Sequence, residues 1–481
     1  MKIVLISDLH YPANPLTDIF LLRAVHRINR YLKPDLVLLA GDLLHKTARA
    51  EDLGVLAEIL QKLTVPYIAV PGNHDPSPEI FYRYLPRPAE FTDILGWRLI
   101  PFTDAETLDH NARLPESAFA RLRRLTAEAP GAVVTLSHCP LFPPDAAACP
   151  FNYADAEKIL QLPISLTLAG HYHRGLDCQA AAAGRTVRAY ATPALYKPPF
   201  PYSVLELPDN PRPGENAAGK IRIRHEPLRA GEGFCDTHVH TRFAYCSEPN
   251  WDAERLFALA EAFGVRHFAF TEHSGHLYTN YAEFRNGTLD RDGIARAPGP
   301  YRYAEYAAYL DSLGARVEFR GRFARGLEVD VGAHGEIILR EEDARTLLFR
   351  IGAVHHLVNV NDLEAAKNEF LFRCEALCRY GVKILAHPFR VFRKKMKCEP
   401  PAELFAPLAK MLKDHGVAAE INYHGNTPEP EFFALCHQMG VPLTCGSDTH
   451  NLYEIGEFYA NFRLLAEIGM RPEELYRLSV S

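Results

Sequence analysis

Aspartate, histidine and asparagine recur in this sequence where short apolar runs end, and they do so as two separate sets. The first set is Asp8 and His10 in SDLH, Asp42 in GDLLH, Asn73, His74 and Asp75 in GNHD, His138 in SHCP, and His171 and His173 in GHYH. Mixed oxygen and imidazole donors suit Mn, Fe or Zn better than Ca or Mg. Two such cations need a shared carboxylate to sit about 3.5–4 Å apart and clamp a phosphate around an attacking hydroxide. Asp42 is the natural bridge. His74 has a different expected task, protonating a leaving oxygen as an imidazolium. A lone Asp-x-His or Gly-Asp is usually a turn, but five ordered blocks at strand ends are a coordinated pattern.

The second set begins more than 200 residues later. It comprises His238 and His240 in CDTHVH, His273 in TEHS, Glu328 in GLEVD, His355 in GAVHH, His387 in AHPF, and Asp448 and His450 in GSDTH. The donor types again fit transition metals, with Glu328 available as a shared carboxylate. Glu272, Glu420 and Asp236 also stand at strand ends and could orient imidazoles. Arg390 follows His387 closely and is the expected phosphate contact, since a guanidinium matches phosphate oxygens in pairs. Arg393, Lys394 and Lys395 share that loop, with a solvated basic surface as the alternative. His356 neighbours His355 but alternates to the other face of a strand, which suggests packing. Together with His74, the imidazoles of the two sets account for half of the 22 histidines. No Walker loop, GxSxG elbow or GxGxxG fingerprint competes with them.

The elements that must position these groups alternate in type. Residues 2–7, 35–40, 66–70, 132–137 and 165–169 are short Val/Ile/Leu-rich runs, and helical patterns such as LTDIFLLRAVHRINRYL separate several of them. TVRAYATPALY, YSVLELP and KIRIRHEPL read as closing strands, with PDNPRPGENAAGK a polar surface loop between the last two. RAGEG at 229–233 is the expected boundary, giving domains over 1–230 and 233–481. Beyond it, seven strand-like segments end on the second set, the outline of a barrel whose active site lies at the C-terminal strand ends. Residues 276–326 form a Tyr/Arg-rich insertion, expected as loop plus helix over the barrel mouth. Its aromatics (Tyr278, Tyr281, Phe284, Tyr301, Tyr303) are more readily local core than a base-stacking platform. Cys374 and Cys378 fall on a helical pattern as buried packing.

A chain of 481 residues exceeds one ordinary core, which agrees with two domains. The formal charge of -6 argues against wholesale binding to nucleic acid or anionic membrane. No apolar run approaches the ~20 residues of a membrane span, and the first residues lack the long apolar region of a signal peptide. Ten cysteines without a CxxC pair suggest reduced thiols and a cytoplasmic location.

The ordered blocks DLH, GDLLH, GNHD, SH and GHYH resemble the calcineurin-like metallophosphoesterase family over roughly residues 1–230. That resemblance implies an αββα sandwich. It implies one cation held by Asp8, His10, Asp42 and His173 and a second by Asp42, Asn73, His138 and His171. The HxH to GSDTH frame resembles the PHP family, named for polymerase and histidinol phosphatase, over roughly 233–475. This implies a distorted (β/α)7 barrel with up to three cations. His238, His240, Glu328 and Asp448 would hold the first, Glu328, His355 and His387 the second, and His273 with His450 the third. Where a further histidine often completes the third set, this chain has HTRFAYCSE, with Cys246 or Glu248 nearby. The expected activity is metal-assisted phosphoester hydrolysis: a diester in the first domain and the resulting monoester in the second. Asp448 or a cation-held water would protonate the monoester's leaving group. Small nucleotide-like substrates are favoured over nucleic-acid ends, and the alternative is one catalytic domain joined to a ligand-binding one.

Overall fold

The computed structural model describes residues 1–102, 112–142, 152–212, 217–229, 231–347 and 349–478. Ala230 of RAGEG and residues 213–216 of the Pro/Gly-rich loop lie outside them. The chain divides into two units, Met1–Arg229 and Ala230–Ser481.

Unit 1 is built on two sheets. Strands β1 (Lys2–Ile6), β2 (Leu36–Ala40), β3 (Tyr67–Val70), β4 (Thr92–Ile94), β5 (Trp97–Pro101), β6 (Ala132–Leu136), β7 (Leu166–Ala169), β8 (Leu176–Ala182), β9 (Arg185–Ala191), β10 (Pro201–Glu206) and β11 (Arg222–Pro227) follow in order. The first sheet runs β11-β10-β1-β2-β3 and the second β4-β5-β6-β7-β9-β8. KIVLI, LVLLA, AVVTL and LTLA are near-continuous apolar runs because these parallel strands are covered on both faces. Ile3, Leu5, Leu36 and Leu38 of the first sheet form one buried cluster with Trp97, Leu99, Val134, Leu136 and Leu168 of the second. A second cluster joins Ile100 and Val133 to Leu122 and Leu125 of helix Glu116–Ala127. On the first sheet, Arg27 of helix Thr17–Arg27 donates to the carbonyls of Pro227 and Leu228. Strands β4, β5 and β8 fall outside the apolar runs. In β8, LDCQAAA alternates between half-buried and exposed residues, the pattern of an edge strand paired only with β9.

Unit 2 carries β12 (Phe234–Val239), β13 (Val265–His273), β14 (Phe323–Asp330), β15 (Phe349–Ala353), β16 (Ile384–Leu385), β17 (Ala418–Ile421) and β18 (Leu443–Cys445). All pair in parallel in sequence order. A bridge from Val239 to Thr449 returns the first strand to the segment after the last, so the barrel nearly closes. Helix starts are fixed by side-chain caps: Asp252 accepts from Arg255 N and Asp362 from Ala365 N. The insertion is more helical than a loop with one helix. It contains Ser274–Tyr278, Tyr281–Arg285, Thr288–Asp292 and Tyr303–Ala315, and its last residues belong to β14. Its short helices start from local devices, such as the Asn280 cap on Glu283 N, that leave little periodicity to read. Tyr278 and Tyr306 are fully buried, with their hydroxyls on Asp343 and the Gly326 carbonyl, so they are local core. Tyr281 and Tyr301 are exposed.

Candidate metal centres

In unit 1 the segments after β1, β2, β3, β6 and β7 bring the first set together. Asp8, His10 and His173 have donor atoms within 4.8 Å of one another, as do Asp42, His138 and His171. His10 Nε2 lies 3.1 Å from His173 Nε2, and His173 Nε2 lies 3.2 Å from Asp8 Oδ1. His138 Nε2 lies 3.0 Å from both Asn73 Oδ1 and His171 Nδ1. Two donors about 2.1 Å from one ion stand about 3.0 Å apart at right angles and about 3.4 Å apart at the tetrahedral angle. Asp42 Oδ2 is 3.7 Å from His10 Nε2, 3.4 Å from His138 Nε2 and 3.8 Å from His74 Nε2, a central place between the two groups. His138 gives Nδ1–H to the Ala40 carbonyl at 2.6 Å, which leaves Nε2 bare for the cluster.

Charge supports the same reading. Burial disfavours charge on His138, but Asp42 and Asp8 carry its pKa up to about 10. Burial likewise opposes ionisation of Asp8, and His10 and His173 outweigh it, holding the carboxylate far below its usual range. Asp8 Oδ1 is buried without a hydrogen-bond partner. The pocket demands positive charge, and the residues present fit a pair of divalent cations. Burial lowers the pKa of His74 despite nearby Asp42. Its ring stacks on His45 at 6.1 Å. Asp75 is not part of the cluster. It accepts from the backbone N–H groups of Gly72, Leu43 and Leu44, tying the GNHD loop to the GDLLH loop. Gly72 is required there, since a Cβ would lie 2.3 Å from Asp42 Oδ1. Sequence reasoning missed Tyr196 and Lys197, whose hydroxyl and ammonium lie 3.4 and 3.3 Å from His173 Nδ1. ATPALY offered only its place after GHYH as a signal.

In unit 2 all seven strand ends contribute. His238 Nε2 lies 3.1 Å from His240 Nε2, 3.5 Å from Asp448 Oδ1 and 3.6 Å from Glu328 Oε1. His240 Nε2 lies 3.0 Å from Asp448 Oδ1 and 3.8 Å from Glu328 Oε2. These four groups fit one cation. Their rear atoms are fixed: His238 Nδ1 bonds Glu420 Oε1 at 2.8 Å and His240 Nδ1 bonds Glu272 Oε1 at 3.2 Å. Asp236 instead holds the backbone of Ser447 and Gly456, on the loop that carries Asp448. Burial works against charge on His240, yet Asp448 and Glu272 raise its pKa to about 9. Asp448 is held ionised, far below its usual range, because His238 and Arg390 outweigh its burial. It therefore has no proton to give at neutral pH.

His355 Nε2 and His387 Nε2 lie 3.4 and 2.7 Å from Glu328 Oε1, and Asp330 holds His355 Nδ1 from behind. Arg390 enters this group, bonding Asp448, His355 and His387. His240, His273 and His450 form a further group within 4.8 Å. His273 Nδ1 and Glu328 Oε2 stand 2.5 Å apart, each without a hydrogen-bond partner. Cys246 joins His273 at 3.7 Å, whereas Glu248 is occupied with Leu452 N. Asp330 and His276 were missed from the sequence, although GLEVD displayed the former. Arg393 is paired with Glu399 and Glu429, while His356 packs edge-on against Phe284 with its pKa lowered to about 4 by burial.

Two clusters of this composition, each at the strand ends of its own α/β unit, are those of a metal-dependent phosphoric ester hydrolase. The chain carries a calcineurin-like phosphoesterase domain, whose family model matches residues 1–175, and a PHP domain, matched over residues 236–424. It is 25% identical over 259 residues to a probable phosphatase of Acetivibrio thermocellus, a match covering 51% of this chain and 91% of the relative. Similar solved structures include a dimetal phosphatase from Danio rerio, 16% identical with a TM-score of 0.35, covering 43% of this chain and 92% of that one. A putative histidinol phosphatase from Listeria monocytogenes is 17% identical with a TM-score of 0.37, covering 47% of this chain and 99% of that one. Among the described residues no helix is long and apolar enough to cross a membrane.

Proposed function

We propose that the chain is a tandem phosphoesterase: unit 1 hydrolyses a phosphodiester and unit 2 removes the phosphomonoester that results, on small nucleotide-like substrates. The observation that carries this reading is the presence of two separate donor clusters, each complete within its own unit. Bound divalent cations, Mn, Fe or Zn by donor type, supply Lewis acidity: they draw charge from phosphoryl oxygens and lower the pKa of an attacking water. In unit 1, Asp8, His10 and His173 hold one position and Asn73, His138 and His171 the other, with Asp42 between them. His74 stands at the rim, its side chain 24% exposed, and gives a proton to the departing oxygen. The anionic substrate draws that proton onto the ring. In unit 2, His238, His240, Glu328 and Asp448 hold a cation, and Arg390 directs a guanidinium to the phosphate. Fusion keeps the monoester near the second unit at raised local concentration.

The test uses Mn-loaded protein, Asp42→Ala and Asp448→Ala, each assayed on an aryl phosphodiester and an aryl phosphomonoester. Asp42→Ala is expected to lose diester activity alone, and Asp448→Ala monoester activity alone. If one substitution abolishes both activities and the other changes neither, the division of labour is wrong.

A further inference from the structure

Arg390 stands three residues after His387 and is only 7% exposed. Its Nη2 donates to His387 Nε2 at 2.6 Å and to His355 Nε2 at 3.1 Å, while Nη1 donates to Asp448 Oδ2 at 2.6 Å. An imidazole nitrogen has one in-plane lone pair, which either accepts an N–H or binds a cation. For His355, Asp330 takes Nδ1–H, so in the neutral ring Nε2 is the bare nitrogen. His387 Nε2 lies 2.7 Å from Glu328 Oε1 and close to the guanidinium at once. A proton on Nε2 would find an acceptor in Glu328 Oε1, but Nη2 at 2.6 Å could then make no hydrogen bond to that nitrogen; the guanidinium contact is what assigns Nε2 as bare, with the proton on Nδ1. Glu328, His355 and His387, the three groups expected to hold a second divalent cation, all turn electron pairs toward one place, and a guanidinium already answers two of them.

We propose that Arg390 is the resident cation of this second position, so that unit 2 takes a divalent cation at His238, His240, Glu328 and Asp448 and none at Glu328, His355 and His387. Arginine stays charged at every pH at which the fold persists, so the position is never vacated by deprotonation. A divalent ion entering here has to remove Nη2 from both imidazoles, leaving its buried N–H donors without those acceptors beside a second positive charge. The guanidinium keeps N–H donors beyond those spent on the protein, so it remains able to meet a phosphate oxygen while completing the charge of the cluster. The second positive charge of the centre is thus covalently tethered.

This proposal rests on unit 2 being a metal centre, and its test separates the two. Full-length protein, His238→Ala, His355→Ala and Arg390→Met are saturated with Mn, freed of excess by gel filtration, and counted for Mn per chain by plasma mass spectrometry. His238→Ala is expected to lose one equivalent per chain relative to wild type and His355→Ala none. Arg390→Met is expected to gain one equivalent, which the double variant Arg390→Met/His355→Ala loses again. If Arg390→Met does not fold, the His355→Ala count decides alone. Loss of one equivalent in His355→Ala, or no gain in a folded Arg390→Met, overturns the assignment of Arg390. No loss in His238→Ala removes the metal centre itself, and the proposal with it.

Discussion

Glu420 touches no expected substrate position, yet its removal is expected to weaken cation binding in unit 2. The residue is fully buried on β17. Its Oε1 accepts from His238 Nδ1 at 2.8 Å, and its Oε2 accepts from His387 N at 2.7 Å and Asn422 Nδ2 at 3.1 Å. The first contact fixes which His238 nitrogen carries the proton and aims the bare Nε2 at the cluster. Loss of such a supporting carboxylate costs about 10–100-fold in metal affinity, or about 1.4–2.8 kcal/mol. The other contacts serve the fold, and each buried donor left unpaired costs about 1–3 kcal/mol. Glu420→Gln keeps the volume but presents one NH2 where two oxygens stood, so either His238 Nδ1 or His387 N loses its acceptor. Thermal melts of the metal-free variant report the stability loss. Competition with a chromophoric chelator reports affinity, in an Asp8→Ala/His138→Ala background that disables the unit 1 cluster. A melt lowered as expected with affinity for unit 2 within twofold of the parent would refute the argument that Glu420 orients His238.

Gly446 is hemmed in by the same carboxylate. A Cβ there would meet Glu420 Oε1 at 1.8 Å and His238 Cβ at 2.7 Å, so Gly446→Ala is expected to destabilise by about 1–3 kcal/mol and to reproduce the affinity loss of Glu420→Gln in the same chelator assay. In metal-free unit 1, His138 is raised above its ordinary value to about 10. Its contribution to stability is therefore complete below about pH 6.5 and is lost as pH rises through about 10, which urea melts between pH 7 and 10 would show. At pH 8 a cation has to displace that proton, so calorimetry in buffers of different ionisation enthalpy, in a His238→Ala/Asp448→Ala background that disables the unit 2 cluster, is expected to show release of about one proton per chain. Arg373 is fully buried between Glu369 at 2.6 Å and the Val331 carbonyl at 2.7 Å. Arg373→Ala is expected to cost about 1–3 kcal/mol by leaving the Val331 carbonyl unpaired and Glu369 with its Val358 and Asn359 donors alone, lowering the melting temperature of unit 2 by about 2–12 °C.

The groups that meet in space were visible in the sequence because strand ends converge, and the motifs lie at strand ends. His238, His355 and Asp448 are far apart in the chain but lie at the same end of the barrel once its parallel strands are laid in order, so naming the blocks amounted to naming the clusters. What the sequence hid is direction. Arg390 reads as a basic residue on a basic loop, and nothing local says that it turns inward to His355 while Arg393 turns outward to Glu399 and Glu429. Asp330 and Glu272 are equally acidic strand-end residues, and only packing decides that one stands behind His355 and the other behind His240. Edge strand β8 and the short helices of the insertion escaped for another reason. Their partners are few, so their residues carry no long apolar period.

The backbone shows why these clusters act as units. Asp8, His10, Asp42 and His171 in unit 1, and His387 and Asp448 in unit 2, all have φ between 32° and 63°. A left-handed residue without glycine's freedom costs about 1–2 kcal/mol, and strands of ordinary geometry would send alternate side chains to opposite faces. Turning left-handed at the strand end lets successive residues aim beyond the sheet. The strain is held by the ligands themselves: Asp8 Oδ2 accepts from His171 N at 3.0 Å, Asp42 Oδ1 from His74 N at 2.8 Å, and His10 N donates to the Asp42 carbonyl at 3.0 Å. Removing the Asp42 side chain therefore frees the loop that carries His74 as well as one donor, and removing that of Asp8 loosens His171. Effects on cation affinity within one unit should fall short of additive, because the second substitution meets a backbone the first has already released. Sub-additive losses for Asp8→Ala with His171→Ala, against additive losses for Asp8→Ala with Asp448→Ala across units, would show that strain and coordination are one structure; additive losses in both pairs would show that the left-handed turns persist without their ligands.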